Sequence, residues 1–268
     1  MFASFFLSLR EGLEAALIIG VVLGTLEKLN KNEMKGSVWA GAGISAILSI
    51  AVGWILNRIG ASFEGRAEEI FEGIAMLLAA GILTWTVFWM RKQAKAAGAK
   101  LEADTINAVM KGSNTALFSL AFISVFREGL ELALFLTAAS MKVDGSQVLI
   151  GAALGLAAVA VIAVLLFRSL IQLNLNQFFR VTSILLIIFA AGLVAHGIHE
   201  FNEAGIIPNV IEHVWDINHI LDENSTIGLL LKVIVGYNGN PSLTEILGYV
   251  IYLVFIIMLY NRQPQSTG

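Results

Sequence analysis

Long apolar runs separated by shorter polar connections dominate the chain. Each run has about the 20 residues that a helix needs to cross the hydrocarbon layer of a membrane, so we predict seven membrane-spanning helices. Their predicted bounds are residues 2–26, 36–56, 70–90, 116–139, 148–167, 181–199 and 243–260. Residues 91–113 are predicted to form a basic surface helix, and residues 200–243 form the one long connection. The pattern predicts an all-α membrane protein with a single transmembrane domain, residues 1–268.

The composition supports a membrane location. Hydrophobic residues make up 57% of the chain and charged residues 14%, and the mean hydropathy is +0.79; soluble proteins have about 25% charged residues. We therefore expect a lipid bilayer around the protein and no nucleic-acid partner, since the basic patch that nucleic acid requires is absent. The chain has no Cys, which excludes thiolate metal ligands. Any metal ion must be bound by oxygen or imidazole nitrogen.

Two of the predicted spans carry the same five-residue motif, Arg-Glu-Gly-Leu-Glu. The first motif is residues 10–14 and the second motif is residues 127–131, which lie 117 positions further along the chain. A charged group inside the hydrocarbon layer costs at least about 2.5 kcal/mol, so such groups are rare there unless they have a function. The two motifs are therefore the first candidates for a functional site.

A second internal match extends the repeat beyond the motifs. Ala-Ala-Gly at residues 79–81 recurs at residues 190–192, so three predicted spans repeat as three spans. Because three is odd, the second copy must enter the membrane from the opposite side. This predicts a three-plus-three inverted repeat, an architecture found in many carriers. The repeats comprise residues 1–112 and 113–200, followed by the outer connection and last span, residues 201–268.

The distribution of Lys and Arg predicts the orientation. With the N-terminus outside, 11 basic residues between the spans or in the tail fall on the cytoplasmic side and four on the other side. Cytoplasmic loops of membrane proteins carry the excess of Lys and Arg. We therefore expect the N-terminus outside and the C-terminus in the cytoplasm.

The spacing within each motif predicts a cation site. On a helix, Glu11 and Glu14 lie on one face, and Arg10 can pair with Glu14 four residues later. The second motif repeats this arrangement with Arg127, Glu128 and Glu131. If the two spans face each other, four carboxylates converge with two guanidinium groups behind them. The formal charge of −2 suits a divalent cation, and carboxylate oxygens suit Mg, Ca, Mn or iron.

Two other readings of the motifs remain open. The Arg and Glu side chains could form buried ion pairs that only fix helix packing, or the carboxylates could relay protons. Gly12 and Gly129 either allow close helix contact or leave room for an ion.

Two smaller clusters could load metal ions at the outer face. Their residues are Glu69, Glu72, His196, His199, Glu200 and Glu203. The first two could equally be an acidic, solvated helix N-terminus, which the helix dipole favours. The other four lie where a span leaves the membrane, and they could also be polar residues that merely meet the interface.

The two motifs resemble those of the oxidase-dependent iron permease family, which includes fungal high-affinity iron permeases and bacterial ferrous-iron uptake permeases. The family carries Arg-Glu-x-x-Glu in the first and fourth of seven spans. By this resemblance, Glu11, Glu14, Glu128 and Glu131 are the carboxylates that translocate iron, and Arg10 and Arg127 support them. The resemblance implies a multi-pass protein of the inner (plasma) membrane that takes iron into the cell and is not an enzyme.

The resemblance also implies partners. Family members work with an extracytoplasmic oxidase, which is a multicopper enzyme in fungi or a haem peroxidase with a cupredoxin-like, metal-binding partner in bacteria. Iron is then the transported substrate, and we expect no permanently bound cofactor. A permease for lead or another divalent ion is the alternative of the same class. A membrane sensor or scaffold that transports nothing is the alternative of another class.

Overall fold

The computed structural model is helical throughout its described regular elements, which confirms the all-α prediction. It describes residues 1–141, 144–167, 175–208, 210–223, 225, 227–228, 231–232 and 236–262. The helices are α1 Phe2–Lys28, α2 Lys35–Gly60, α3 Arg66–Met110, α4 Asn114–Ser140, α5 Gly145–Phe167, α6 Leu175–Glu203 and α7 Leu243–Arg262. A short 3-10 helix, Asn32–Met34, precedes α2.

Five helical segments are long and apolar enough to cross a membrane. They are Asn32–Gly60, Arg66–Trp89, Gly145–Phe167, Gln177–Glu203 and Leu243–Asn261. The helices α1 and α4 have 27 residues each, which gives them a length of about 40 Å. Each of them carries three charged residues in its motif, and this charge separates them from the other five by composition.

Helix α3 is longer than the sequence pattern predicts. A separate surface helix was expected over residues 91–113, but α3 continues without a break for 45 residues. The segment contains no Pro and is rich in Ala and Lys, which favour helix, so nothing in it ends the helix. Gly112, with φ +59°, follows the helix end, and the Ser113 hydroxyl then accepts a hydrogen bond from the Ala116 amide and caps α4.

Helices α1 and α4 run in opposite directions. One buried cluster contains Leu7 near the start of α1 together with Phe135 near the end of α4. A second cluster contains Leu26 at the end of α1 together with Leu117 at the start of α4. The two helices therefore cross between these clusters, and both motifs lie in that central region.

Helix α1 packs closely against α5, and the two run parallel. A Cβ atom at Gly151 of α5 would overlap the carbonyl of Met1, and one at Gly155 would contact the carbonyl of Phe5. From the first contact to the second, the position moves forward by four residues on α5 and by four residues on α1. The two helices therefore run in the same direction. Small residues at such positions allow membrane helices to approach closely.

Helix α2 packs against α4 in the corresponding way. A Cβ at Gly41 of α2 would contact the carbonyl of Phe118, and a Cβ at Gly129 of α4 would overlap the side chain of Ser49. Phe118 follows Met1 by the same 117 positions that separate the two motifs. The first helix of each half thus packs against the second helix of the other half.

The connection between α6 and α7 folds back onto α6. Gly236 has a φ of +71°, which favours glycine, and a Cβ there would overlap the backbone of Gly192. The Tyr237 hydroxyl donates a hydrogen bond to the carbonyl of Leu221, 2.7 Å away. The connection therefore reaches a point 11 residues before the end of α6 at Glu203.

Candidate metal centre

Three carboxylates meet where α1 and α4 cross. One oxygen from each of Glu11, Glu128 and Glu131 lies within 4.8 Å of the corresponding oxygens of the other two. Glu11 is 1% exposed and Glu128 is 2% exposed. Within the described residues, no other set of three His, Asp or Glu side chains comes this close together. The crossing of two antiparallel helices thus gathers residues that are 117 or more positions apart.

Two oxygens of this group have no hydrogen-bond partner among the described residues. They are Oε2 of Glu11 and Oε2 of Glu128, and both are buried. A buried carboxylate oxygen without a donor is unfavourable, and native proteins rarely leave one. A metal cation would satisfy both oxygens, and oxygen ligands of this kind suit hard divalent ions.

Arg10 is fully buried and is held by its own helix. Its Nη1 pairs with Oε1 of Glu11, and its Nη2 lies 3.1 Å from Oε1 of Glu14. The predicted pairing of Arg10 with the residue four positions later is therefore present. The guanidinium group thus pairs with both carboxylates of the first motif, which leaves the motif with a formal charge of −1.

Glu14 lies outside the group of three carboxylates. The sequence predicts four converging carboxylates, and the structure brings three of them together within 4.8 Å. Glu14 is 7% exposed, and its Oε1 lies 3.1 Å from Nη2 of Arg10. The first motif thus contributes one carboxylate to the group and the second motif contributes two.

Arg127 differs from Arg10 in its surroundings. Its Nη2 lies 2.9 Å from Oε1 of Glu128 and its Nε lies 3.4 Å from Oε1 of Glu131. Its side chain is 43% exposed, and its Cζ lies 4.5 Å from the centre of the Trp89 ring. The Trp89 ring therefore forms a cation–π contact with the guanidinium group of the second motif.

Helix α3 contributes a further contact that the sequence pattern does not reveal. The Thr86 hydroxyl donates a hydrogen bond to Oε2 of Glu131, 2.9 Å away. Thr86 and Trp89 are three residues apart on α3, so they lie on one face and both contact the second motif. A threonine in an apolar span has no spacing that marks it as a site residue, and only the packing of α3 against α4 shows it.

The two glycines of the motifs lie at helix contacts outside the carboxylate group. A Cβ at Gly12 would contact the Val159 side chain of α5, and a Cβ at Gly129 would overlap Ser49 of α2. Of the two roles considered for these glycines, close helix contact is the one observed.

The carboxylates of the two predicted outer clusters lie at the packed ends of α3 and α6. Glu69 and Glu72 lie near the start of α3, and Glu200 and Glu203 lie near the end of α6. The two helices pack together there, with Gly73 against the Phe201 ring.

The two histidines of the outer clusters have other contacts. His196 is buried, and its Nδ1 lies 3.0 Å from the carbonyl of Gly192 on its own helix. His199 places Nε2 3.4 Å from Oε1 of Glu203 and Nδ1 3.1 Å from Oε1 of Glu245. In the described structure, His199 therefore connects α6 to α7.

Glu245 is a buried acceptor that sequence reasoning missed. It is 2% exposed, and it accepts hydrogen bonds from the Asn238 side chain at 2.8 Å and from the Ser242 amide at 3.0 Å. With His199 as a third partner, both of its oxygens are occupied. A Glu in the first turn of an apolar span was a signal for this anchor.

Comparison with known proteins identifies the family. The family model described as "Iron permease FTR1 family" matches residues 1–261. A protein of Yersinia pestis named ferrous iron permease EfeU is 36% identical over 270 residues, which cover 100% of this chain and 96% of the relative. Proteins of the same name from Escherichia coli O157:H7 and Shigella sonnei are each 37% identical over 268 residues. In both cases the match covers 99% of this chain and 97% of the relative.

No solved structure matches the chain. The family match covers almost the whole sequence, and the long apolar helices fit an integral membrane protein. The predicted resemblance is confirmed: the chain belongs to the iron permease FTR1 family.

Proposed function

We propose that this protein carries iron across the cytoplasmic membrane into the cell, and that the two motifs form its ion site. The observation that supports this most directly is the meeting of Glu11, Glu128 and Glu131 at the α1–α4 crossing, with two buried oxygens left without a donor. The relatives named ferrous iron permeases support iron as the substrate.

The charge of the site fits a divalent ion. The charged side chains of the two motifs are Arg10, Glu11, Glu14, Arg127, Glu128 and Glu131. Their formal sum is −2, which one Fe²⁺ ion neutralises. Burying uncompensated charge in a membrane protein is costly, so ion binding stabilises the site as it fills.

The proposed architecture is a seven-span carrier in which α1 and α4 also cross the membrane. The inverted repeat of residues 1–112 and 113–200 is supported by the opposite directions of α1 and α4. It is also supported by the matching contacts of α1 with α5 and of α2 with α4. Such repeats place the substrate near the middle of the bilayer, where the halves meet. We propose the N-terminus outside and the C-terminus in the cytoplasm.

An extracytoplasmic oxidase or peroxidase and a metal-binding protein are the proposed partners. The motif side chains offer carboxylates and guanidinium groups, which do not themselves take up electrons from iron. Any oxidation during delivery therefore requires a partner. Comparing uptake with and without an added oxidase, and with iron supplied as Fe²⁺ or Fe³⁺, tests this requirement.

The function is tested by uptake of radioactive iron into proteoliposomes that contain the purified protein. The informative variant is Glu11→Gln/Glu128→Gln, which keeps the side-chain shapes but removes two charges. Glu102→Gln is the matched control, because Glu102 is 44% exposed and pairs only with the exposed Lys28 among the described residues. We expect uptake by the wild type and the control, and at least a 100-fold loss in the double variant. Size-exclusion chromatography and thermal unfolding verify folding.

The outcome separates the alternatives. Uptake that Mn, Zn and Pb do not inhibit supports an iron permease, whereas stronger transport of lead or another divalent ion shows a different cargo. If the folded wild type takes up no metal with or without an oxidase, the protein is a sensor or scaffold. If the double variant misassembles while conservative changes elsewhere do not, the motif charges serve helix packing.

A further inference from the structure

Thr86 differs from other buried threonines of the spans in its hydrogen bond. The hydroxyls of Thr25 and Thr182 bond to carbonyls four residues earlier on their own helices, Val21 and Phe178. The Thr86 hydroxyl instead crosses from α3 to α4 and donates to Oε2 of Glu131. Thr86 is 5% exposed, so this bond is formed away from bulk solvent.

Glu131 is the least enclosed member of the carboxylate group. Its side chain is 13% exposed, compared with 1% for Glu11 and 2% for Glu128. Its other contact within the motif is the 3.4 Å approach of Arg127 Nε to Oε1, and Arg127 is itself partly exposed. The Thr86 bond is therefore a main constraint on where this carboxylate points.

The position of α6 that corresponds to Thr86 carries no hydroxyl group. The Ala-Ala-Gly match relates α3 to α6 at a spacing of 111, which aligns Thr86 with Gly197. Gly197 has no side chain to donate a hydrogen bond. The first motif instead relies on Arg10, which is fully buried and holds Glu11 and Glu14 from within the same helix. Two motifs of identical sequence are thus held in place by different means.

We propose that Thr86 is a positioning residue for the metal site, an inference that rests on the proposed function. By donating to Oε2, Thr86 fixes the carboxylate plane of Glu131 and keeps that group beside Glu11 and Glu128. The fixed separation of the carboxylate oxygens of Glu11, Glu128 and Glu131 favours an ion whose radius matches it. Without the hydroxyl, Glu131 turns more freely, so the ion is bound less tightly and other divalent ions are excluded less well.

The test compares three single variants in the full chain. Thr86→Val keeps the shape and removes the hydroxyl, Thr86→Ser restores a hydroxyl, and Thr105→Val makes the same change at a buried position of the same helix. Initial rates of iron uptake at increasing iron concentration give KM and the maximal rate, and competition with Mn²⁺ gives selectivity. Binding of Mn²⁺ to the detergent-solubilised protein, followed by electron paramagnetic resonance, reports on the site without transport.

We expect Thr86→Val to raise KM about 10-fold, the effect of losing one hydrogen bond to a charged group, with the maximal rate within about twofold. Mn²⁺ should compete better, while Thr86→Ser and Thr105→Val remain close to the wild type. A purely structural role would reduce the amount of folded protein and leave KM and selectivity unchanged.

Two results overturn the inference. One is a Thr86→Val protein with wild-type KM and selectivity, and the other is a Thr86→Ser protein that fails as strongly as Thr86→Val. If Thr86→Val does not fold, Thr86→Ala and Thr86→Ser give the same comparison. Failure of the proposed function is a different result, because the wild type itself would then take up no iron.

Discussion

Ser49 of α2 lies so close to Gly129 of α4 that a Cβ atom on Gly129 would overlap its hydroxyl group. The contact places the neighbours of Gly129, which include Glu128, at a fixed distance from α2. We predict that Gly129→Ala separates the two helices and lowers stability by about 1–3 kcal/mol, the usual cost of overpacking. Thermal unfolding in detergent and iron uptake measure the effect.

The control for this prediction is Gly24→Ala, because no heavy atom lies within 4 Å of a Cβ built at Gly24. The double variant Gly129→Ala/Ser49→Gly should recover part of the loss, since it removes the overlapping side chain. Equal unfolding temperatures for Gly129→Ala and Gly24→Ala would show that the contact is not tight in the protein.

The two arginines of the motifs should differ in their effect on stability. Arg10 is fully buried and pairs with two buried carboxylates, so Arg10→Gln should cost about 3–5 kcal/mol. Arg127 is 43% exposed, and Arg127→Gln should cost only about 1–2 kcal/mol. The difference is measured as the shift in the thermal unfolding midpoint of each purified variant. Two equal shifts would contradict the distinction drawn from burial.

Trp89 should stabilise the second motif through its contact with Arg127. Replacing the ring by Leu removes a cation–π contact worth about 0.5–2 kcal/mol. Trp85→Leu is the matched control on the same helix, because Trp85 is 70% exposed on an outward face. The unfolding midpoint should fall for Trp89→Leu and change little for Trp85→Leu. A larger fall for Trp85→Leu than for Trp89→Leu would show that Trp89 does not stabilise the second motif.

Glu245 should affect stability without affecting metal affinity. Glu245→Gln disturbs a buried acceptor that bonds to His199, Asn238 and Ser242, so it should loosen α7 from α6. Glu64→Gln is the control, since Glu64 is exposed and belongs to neither this anchor nor the predicted clusters. We expect a lower unfolding temperature for Glu245→Gln with KM for iron unchanged. A large rise in KM would instead connect this anchor to the ion site.

The positions of the apolar helices could be predicted from hydropathy, because a helix that crosses a bilayer needs about 20 mostly apolar residues. The predicted second helix, residues 36–56, corresponds to α2, Lys35–Gly60. The extension of α3 could not be predicted in the same way, since a basic segment reads as a connection although its residues favour helix. Hydropathy reports burial in lipid and gives no information on where a helix continues into water.

Contacts within a single motif of the candidate site could be predicted from the sequence. The spacing of Arg10 and Glu14 shows that they can pair on one helix, and they do. The spacing does not show that this pairing holds Glu14 outside the carboxylate group. Contacts between helices depend on which faces meet, so the role of Thr86 and the anchor at Glu245 required the structure.

Helix α1 packs against α5, which belongs to the second half of the chain, and this affects the order in which the protein can fold. Helix α1 is synthesised before its close partner α5, Gly145–Phe167, which follows it by more than 100 residues. Until α5 is made, Arg10 has its partners on the same helix, Glu11 and Glu14, but the contacts of α1 with α5 are still absent. The ion pairs within α1 can therefore form before the helix contacts that bury them, and the final burial of the first motif depends on the second half of the chain.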